Sequence, residues 1–343
     1  MIGCGPEANA IKPNATNGRS YLAAWAQYYV YWLEGYKRAG VDIWGVTPQN
    51  EPGYRAQGYE CCIYSAAGYT EWVGRYLGPT LRAYNASIKI LVYDFNKDGA
   101  DAYLSGIASN YSEFADGVAY HWYDYQGSLG LATVQAVSRL LPNAFTLATE
   151  ACYLQGLVET WATGAELVAL DTIADLNFGF AGWVCWNSLL HTGVPSSYQG
   201  GPAHDHSSGF SAPMLFDQDG TPGGDALRYQ TSFWAMGHVS RYARPGSVRV
   251  AAAGPGFAAT SEDFETVRAT VVNGRAPPAG GLPLIASAFV DDAAGTASVV
   301  VVNAGPTPVT FKLTDDTRPA ASRAVAVTIP AHTIQSYRWL LDA

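Results

Sequence analysis

Positive charge is scarce in this chain: 20 Lys and Arg stand against 29 Asp and Glu in 343 residues, giving a formal net charge of −9. The cations are scattered thinly, with no basic stripe to neutralise a run of phosphates, so nucleic acid is not an expected partner. No apolar run reaches the ~18 residues that a membrane-spanning helix needs. Met1 to Asn14 lacks the charged start and apolar centre of a secretory leader. The five cysteines (Cys4, Cys61, Cys62, Cys152, Cys185) form no CxxC pair and have no histidines at zinc-finger distances, which argues against a metal or redox motif. Their odd number leaves at least one thiol unpaired within the chain. Cys152 and Cys185, at the ends of apolar segments, read as small buried hydrophobes. No GxGxxG follows an apolar segment, which weakens a dinucleotide-binding fold.

What the chain does have is apolar and aromatic residues. Hydrophobic residues make up 48% of it, enough for a large core, and there are 10 Trp and 22 Tyr. Many of these rings stand close to polar or acidic residues. They serve equally as core side chains with one polar handle or as flat platforms for sugar rings, and composition does not separate the two. Three Asn-x-Ser/Thr acceptor tripeptides, at Asn14, Asn85 and Asn110, point to a secretory route.

Periodicity supplies the fold class. Leu22, Trp25, Tyr29, Trp32, Leu33 and Tyr36 recur at helical spacing, with Ser20 placed to cap the start and Gly40 to stop the end. Val41 to Thr47 then reads as a buried strand. The alternation continues with helices near 69–84, 100–108, 131–141 and 159–176, and strands at 88–94, 117–122, 145–149 and 180–186. Alternating helices and buried strands imply a parallel sheet. Nearly every strand ends in a polar or aromatic group (Asn50-Glu51, Asp94, His121-Trp122-Tyr123, Glu150, Trp186-Asn187), as in a (β/α)8 barrel whose strand ends floor the active site. About five β/α units are legible. The Gly/Pro/Ser-rich stretch 187–224 reads as an active-site loop. Beyond it, Val- and Thr-rich segments at 247–252, 266–272, 297–302, 309–313 and 324–329 read as an antiparallel β-sandwich. The division expected is a partial catalytic barrel over 1–235 and a sandwich over 236–343.

Glu51 and Glu150 each stand directly after a strand in otherwise apolar sequence. Cleaving a glycosidic bond with retention needs two carboxyl groups about 5–5.5 Å apart, one to protonate the leaving group and one to attack the anomeric carbon. A barrel delivers such a pair from two strand ends distant in sequence. His204-Asp205-His206 could ligate a metal, but it lies in a Gly/Ser-rich stretch and this chemistry needs no metal or other cofactor. Asp94 reads as a structural group at a strand end, and Asp124 as pocket rim.

The segment Gly45-Val46-Thr47-Pro48-Gln49-Asn50-Glu51-Pro52 resembles the acid/base motif of the glucosylceramidases, glycoside hydrolase family 30, and Ala148-Thr149-Glu150-Ala151-Cys152 resembles their nucleophile motif. Leu77-Gly78-Pro79-Thr80-Leu81, His121-Trp122-Tyr123, Gly182-Trp183 with Trp186-Asn187, Met236-Gly237-His238-Val239-Ser240 and Pro245-Gly246-Ser247 extend the likeness in order, from about Ser20 to the C-terminus. The resemblance implies Glu51 as general acid/base and Glu150 as nucleophile, with Asn50 on the sugar 2-hydroxyl. It also implies that His121 and Tyr123 line the pocket and hold Glu150, and that Trp186 stacks under the sugar. An ionised Glu150 nearby is expected to raise Glu51 toward ~6 and favour an acidic working pH. The substrate implied is a glucosylated lipid met at a membrane surface, or another β-glycoside such as a fucoside, xyloside or xylan, in a lysosomal or secretory compartment; no activator protein is specified. The departures are Cys185, where relatives carry Asp, and Ala203 after Gly200-Gly201-Pro202, where relatives offer Asn. The family barrel also begins with three further β/α units that do not precede Met1, so a non-catalytic fragment that only binds glycolipid or a partner is the rival from another class.

Overall fold

Apolar residues at helical spacing form α1 (Leu22–Arg38), which buries Ala26, Val30 and Leu33. It stops at Gly40, where φ is +81° and the Val41 N–H donates back to the Tyr36 carbonyl at 3.0 Å, the left-handed close that glycine adopts without a Cβ clash. The computed structural model describes residues 21–55, 61–123, 128–152, 159–191, 211–217, 226–273, 275–315 and 324–341. Ser20, Cys4 and Asn14 lie outside these. Tyr21 holds the N-cap position of α1 and makes no side-chain capping bond.

After α1 come β1 (Gly45–Val46), α2 (Ala66–Glu71), a π-helical turn at Trp72–Leu77 that runs into α3 (Gly78–Tyr84), β2 (Lys89–Asn96), α4 (Ala100–Asn110), β3 (Gly117–His121) and α5 (Leu131–Leu140). Then follow β4 (Phe145–Glu150), a second π-helical turn at Trp161–Glu166 leading into α6 (Leu167–Asn177), and β5 (Phe180–Trp183). The strands form one five-stranded sheet in the order β1-β2-β3-β4-β5, every neighbour parallel. Parallel neighbours joined through helices are the arc of a β/α barrel. β1 is shorter than its apolar sequence implies: Val41 and Trp44 are exposed, and pairing begins at Gly45 against Lys89.

One core cluster lies between this sheet and α1 to α5, with Trp72, Tyr69, Tyr93, Tyr120 and Leu104 fully buried. Close packing there depends on missing side chains. A Cβ on Gly78 would come within 2.4 Å of the Phe114 ring, whereas one on Gly35 of α1 meets nothing within 4 Å. Gly78→Ala is therefore expected to destabilise by about 1–3 kcal/mol through overpacking, and Gly35→Ala to be neutral or stabilising by up to ~1 kcal/mol, both read from urea midpoints.

The stretch expected as one long loop contributes β6 (Leu189–His191), β7 (Met214–Asp217) and β8 (Ala226–Tyr229), a three-stranded sheet in which β6 pairs parallel and β8 antiparallel to β7. α7 (Thr231–Ser240), β9 (Val248–Val250), α8 (Ser261–Asn273), β10 (Ile285–Asp291), β11 (Thr296–Asn303), β12 (Val309–Leu313), β13 (Val325–Ile329) and β14 (Thr333–Leu340) complete the chain. An antiparallel sheet in the order β14-β11-β10-β9 faces the β12-β13 hairpin. Every residue of β11 is buried because both its faces are covered: Val299 and Val301 pack toward the hairpin, Val300 and Val302 toward α6, α7 and α8. One expectation fails here. Residues 266–272, read as a strand from their Val and Thr content, form the second half of α8. The Thr260 hydroxyl accepts from the Asp263 N–H at 3.2 Å, and the Asp263 carboxylate accepts from the Ala259 and Thr260 N–H groups at 2.9 Å. This start signal, with Phe264 and Val267 buried and Val271 packed beside them at helical spacing, overrides β-propensity.

Candidate active site

The site sits at the carboxyl ends of β1 to β4. His121 and Glu150 are register partners across β3 and β4, and Asn96 is the partner of His121 across β2 and β3. Three non-glycine residues here adopt the left-handed region: Glu51 at φ +47°, Tyr93 at +84° and Asp94 at +62°. Each costs of order 1–3 kcal/mol and persists only where the surroundings over-determine it. A hydrogen bond from the Glu51 N–H to the Asp94 carbonyl, 2.9 Å, ties two of them together. The β2–β3 register also shifts between Tyr93 and Phe95, which places the irregularity at Asp94.

The Asp94 carboxylate accepts from Thr47 Oγ1 at 2.6 Å, from Thr149 Oγ1 at 2.7 Å and from His121 Nε2 at 3.2 Å. His121 is wholly buried; its Nδ1 lies 3.1 Å from Glu51 Oε1 and its Nε2 lies 3.8 Å from Glu150 Oε2. Burial alone would discharge the ring, but the hydrogen bonds to Asp94 and Glu51 and the charges of Asp94 and Glu150 outweigh it and push His121 up to about 10. The Asp94 carboxyl is correspondingly held below its ordinary range: burial opposes this, and His121 with the two threonine hydroxyls overcomes it.

The Tyr123 hydroxyl donates to Glu150 Oε1 at 3.1 Å and also lies 3.3 Å from the Cys152 sulfur. The tyrosine is itself pinned at its backbone, where its N–H donates to Asn96 Oδ1 and its carbonyl accepts from Asn96 Nδ2, both at 3.0 Å. Glu150 is raised above the usual carboxylate value, first by burial and then by the charges of Glu51 and Asp94, with His121 and the Tyr123 hydroxyl pulling the other way. Glu51 receives the direct charged bond from His121, whereas Glu150 has a neutral phenol as its nearest donor.

Trp186 packs with Tyr123 around a small cluster of Cys152, Leu190, Ala212 and Leu215. Asn50 is exposed beside Glu51, its carbonyl accepting from Gln49 Nε2 at 3.0 Å. Cys152 is buried as expected, and Cys185 is only half-buried; with Cys62 these are free thiols, while Cys61 is disulfide-bonded. Asp124, Ala203 and His204-Asp205-His206 lie outside the described residues. Asp94, read from sequence as a structural group at a strand end, lies near the end of β2 and is bonded within the site, with Thr47 and Thr149, embedded in the two glutamate motifs, among its partners.

Glu51, His121 and Glu150 offer ligand atoms that all lie within 4.8 Å of one another. A metal there would need a lone pair on His121. Its two ring nitrogens are already engaged, Nδ1 with Glu51 at 3.1 Å and Nε2 with Asp94 at 3.2 Å. The trio is an ion-paired network.

Paired carboxylates at the strand ends of a β/α barrel are an arrangement that glycoside hydrolases use. The TIM-barrel domain of glycosyl hydrolase family 30 matches residues 9–243, and the chain belongs to that family. It is similar to lysosomal acid glucosylceramidase of Mus musculus, 28% identical over 261 residues that make up 73% of this chain and 48% of that protein. It is also similar to an endo-1,6-beta-D-glucanase of Trichoderma harzianum, 29% identical over 172 residues, 46% of this chain and 34% of that protein. The chain thus spans about half the length of the mouse relative. Among solved structures, SrfJ from Salmonella typhimurium superposes with a TM-score of 0.73 at 23% identity, covering 97% of this chain and 65% of that one. An endo-beta1,6-glucanase gives 0.70 at 21% identity over 97% of this chain and 68% of its own. These likenesses establish the fold.

Proposed function

We propose that this chain carries the catalytic centre of a retaining β-glycosidase, with Glu51 as general acid/base and Glu150 as nucleophile. The observation that carries the reading is the pair itself: carboxylate oxygens of Glu51 and Glu150 within 4.8 Å of each other. That is too close for the water that an inverting enzyme holds between carboxyl groups about 6.5–9.5 Å apart, and fits direct attack on the anomeric carbon. Glu150, aimed by the Tyr123 hydroxyl, forms the glycosyl-enzyme as Glu51 protonates the departing oxygen; Glu51 then deprotonates the water that releases the sugar. Asn50 is assigned to the sugar 2-hydroxyl and Trp186 to the ring face. Because Glu150 must be ionised to attack and is raised, activity falls on the acid side at a higher pH than an ordinary carboxylate would dictate.

The substrate proposed is a β-glucoside with a lipid aglycone, met at a membrane surface in a lysosomal or secretory compartment. The similarity to the mouse glucosylceramidase supports this, and Asn85 and Asn110 of the acceptor tripeptides are exposed. No helix among the described residues is long and apolar enough to cross a membrane. Residues 1–235 are proposed as the catalytic part and 236–343 as its β-sandwich. The second reading is a β-1,6-glucan substrate, favoured by the Trichoderma relative.

Hydrolysis of a short-chain fluorescent glucosylceramide, a fluorogenic β-glucoside, a β-1,6-glucan oligomer and a xylan oligomer by the folded chain tests this. Turnover of the glucosides alone is the expected result. Preference for the glucan oligomer would transfer the assignment to the second reading, and inertness toward all four would leave a binding fragment.

A further inference from the structure

We infer that Asp94 is the positioning residue of this site: held by Thr47 and Thr149 on the strained bulge of β2, it orients His121 so that the ring only donates toward Glu51. The inference rests on Glu51 and Glu150 being the reacting pair.

A neutral imidazole has one N–H, and either nitrogen can carry it. Were Nδ1 bare, a protonated Glu51 could donate its proton to His121 and turn its acidic hydrogen away from the substrate. Asp94 stands 3.2 Å from Nε2 and Glu51 3.1 Å from Nδ1; two carboxylates flanking one ring favour the imidazolium, in which both nitrogens carry hydrogens. The Glu51 oxygen beside His121 can then only accept. The proton that Glu51 delivers is confined to its other oxygen, free for the leaving group. The same fixed cation lies 3.8 Å from Glu150, so a single ring is placed against both carboxylates.

The neighbours leave Asp94 the dominant control. His121 faces Glu51 after β1, Asp94 on β2 and Glu150 on β4, and its ring meets those of Phe95 and Tyr123 edge-on at 6.5 and 6.0 Å. Around Asp94 stand the hydroxyls of Thr47 and Thr149 and the phenols of Tyr29 and Tyr69, the phenols both pushed up by burial and therefore uncharged at neutral pH. Cys152, beside Tyr123, is likewise a neutral thiol. Glu51 gives up and takes back a proton in the cycle, and Glu150 exchanges its charge for the glycosyl ester bond and regains it on hydrolysis. Asp94, dry and triply bonded, stays charged throughout.

Nitrogen-15 NMR of the histidine rings in the full chain tests this, with His121 assigned by the signal lost in His121→Gln. Wild type is expected to keep His121 doubly protonated to about pH 8, and Asp94→Asn to titrate within about pH 5–8. In parallel, kcat of Asp94→Asn should fall roughly ten- to a hundredfold with KM within about twofold. Its pH–rate profile should acquire a new loss of activity on rising through the same midpoint, and Asp94→Glu should restore the wild-type titration. A merely structural role would lower the melting temperature and leave the profile's shape unchanged. A wild-type His121 that titrates near its ordinary value of about 6.5 overturns the inference even if Asp94→Asn does not fold, as does an Asp94→Asn profile superimposable on wild type. A wild-type chain that hydrolyses nothing sinks the glycosidase reading, and the NMR titration then decides the role of Asp94 by itself.

Discussion

Glu150→Ala is expected to hydrolyse an activated β-glucoside more than about a thousandfold more slowly than wild type, and azide should restore turnover with an α-glycosyl azide as product. The reasoning is geometric. The vacated carboxylate leaves room for a small anion on the face from which Glu150 attacks, and a single displacement there inverts the anomeric carbon. Glu51→Ala should behave differently with the same substrate. A good leaving group departs without protonation, the glycosyl-enzyme forms on Glu150, and azide replaces the water that Glu51 would have activated, so two displacements give the β-azide. Proton NMR of the anomeric coupling distinguishes the products. Exchange of the two configurations would exchange the roles of the glutamates, and no azide product from either variant would count against a covalent intermediate.

The second large effect lies behind the sheet. Lys97 is buried to 1% exposure, its ammonium 2.5 Å from Asp175, 3.9 Å from Asp171 and 5.3 Å from the centre of the Phe180 ring. Both aspartates lie on α6, whose residues from Leu167 to Leu176 are all buried, and Asp171 also accepts from Trp183 Nε1 at 3.1 Å. Lys97→Met keeps most of the volume and removes the ammonium that faces both aspartates, leaving two carboxylates in the interior. Removing one partner of a buried pair costs about 3–5 kcal/mol because the survivor is uncompensated. Arg38→Ala, at an exposed i,i+4 pair with Glu34, should stay within about 0.5 kcal/mol of wild type. Chemical denaturation of both variants is the check. A Lys97→Met midpoint close to that of Arg38→Ala would show that α6 admits water to its aspartates.

The barrel half was legible because its signal is periodic and repeated. α1 and α4 to α6 and the strands β2 to β4 fall within a few residues of their sequence positions, and Glu51 and Glu150 stood out as carboxylates in apolar surroundings. The sandwich is less legible. Val and Thr content made residues 266–272 look like a strand, although Thr260 and Asp263 already spelled a helix start. β10 and β14 leave little signal in the sequence, the first because Ala and Ser dilute its alternation, the second because its Gln and Trp are only half-buried and its Arg is exposed. The bonding of Asp94 is hidden in the sequence for a different reason: its partners Thr47, His121 and Thr149 lie 47, 27 and 55 residues away, and only the parallel register brings them to one level.

That long reach has a kinetic consequence. Asp94, His121 and Glu150 lie on three separate strands and Glu51 follows a fourth, so no local hairpin or helix can assemble any part of the constellation early. Loop closure between adjacent strands must come first, and distant contacts form slowly. During refolding, helical ellipticity should return well before the His121 ring finds its three carboxylates, which makes the site the slowest reporter of whether the sheet has closed in register.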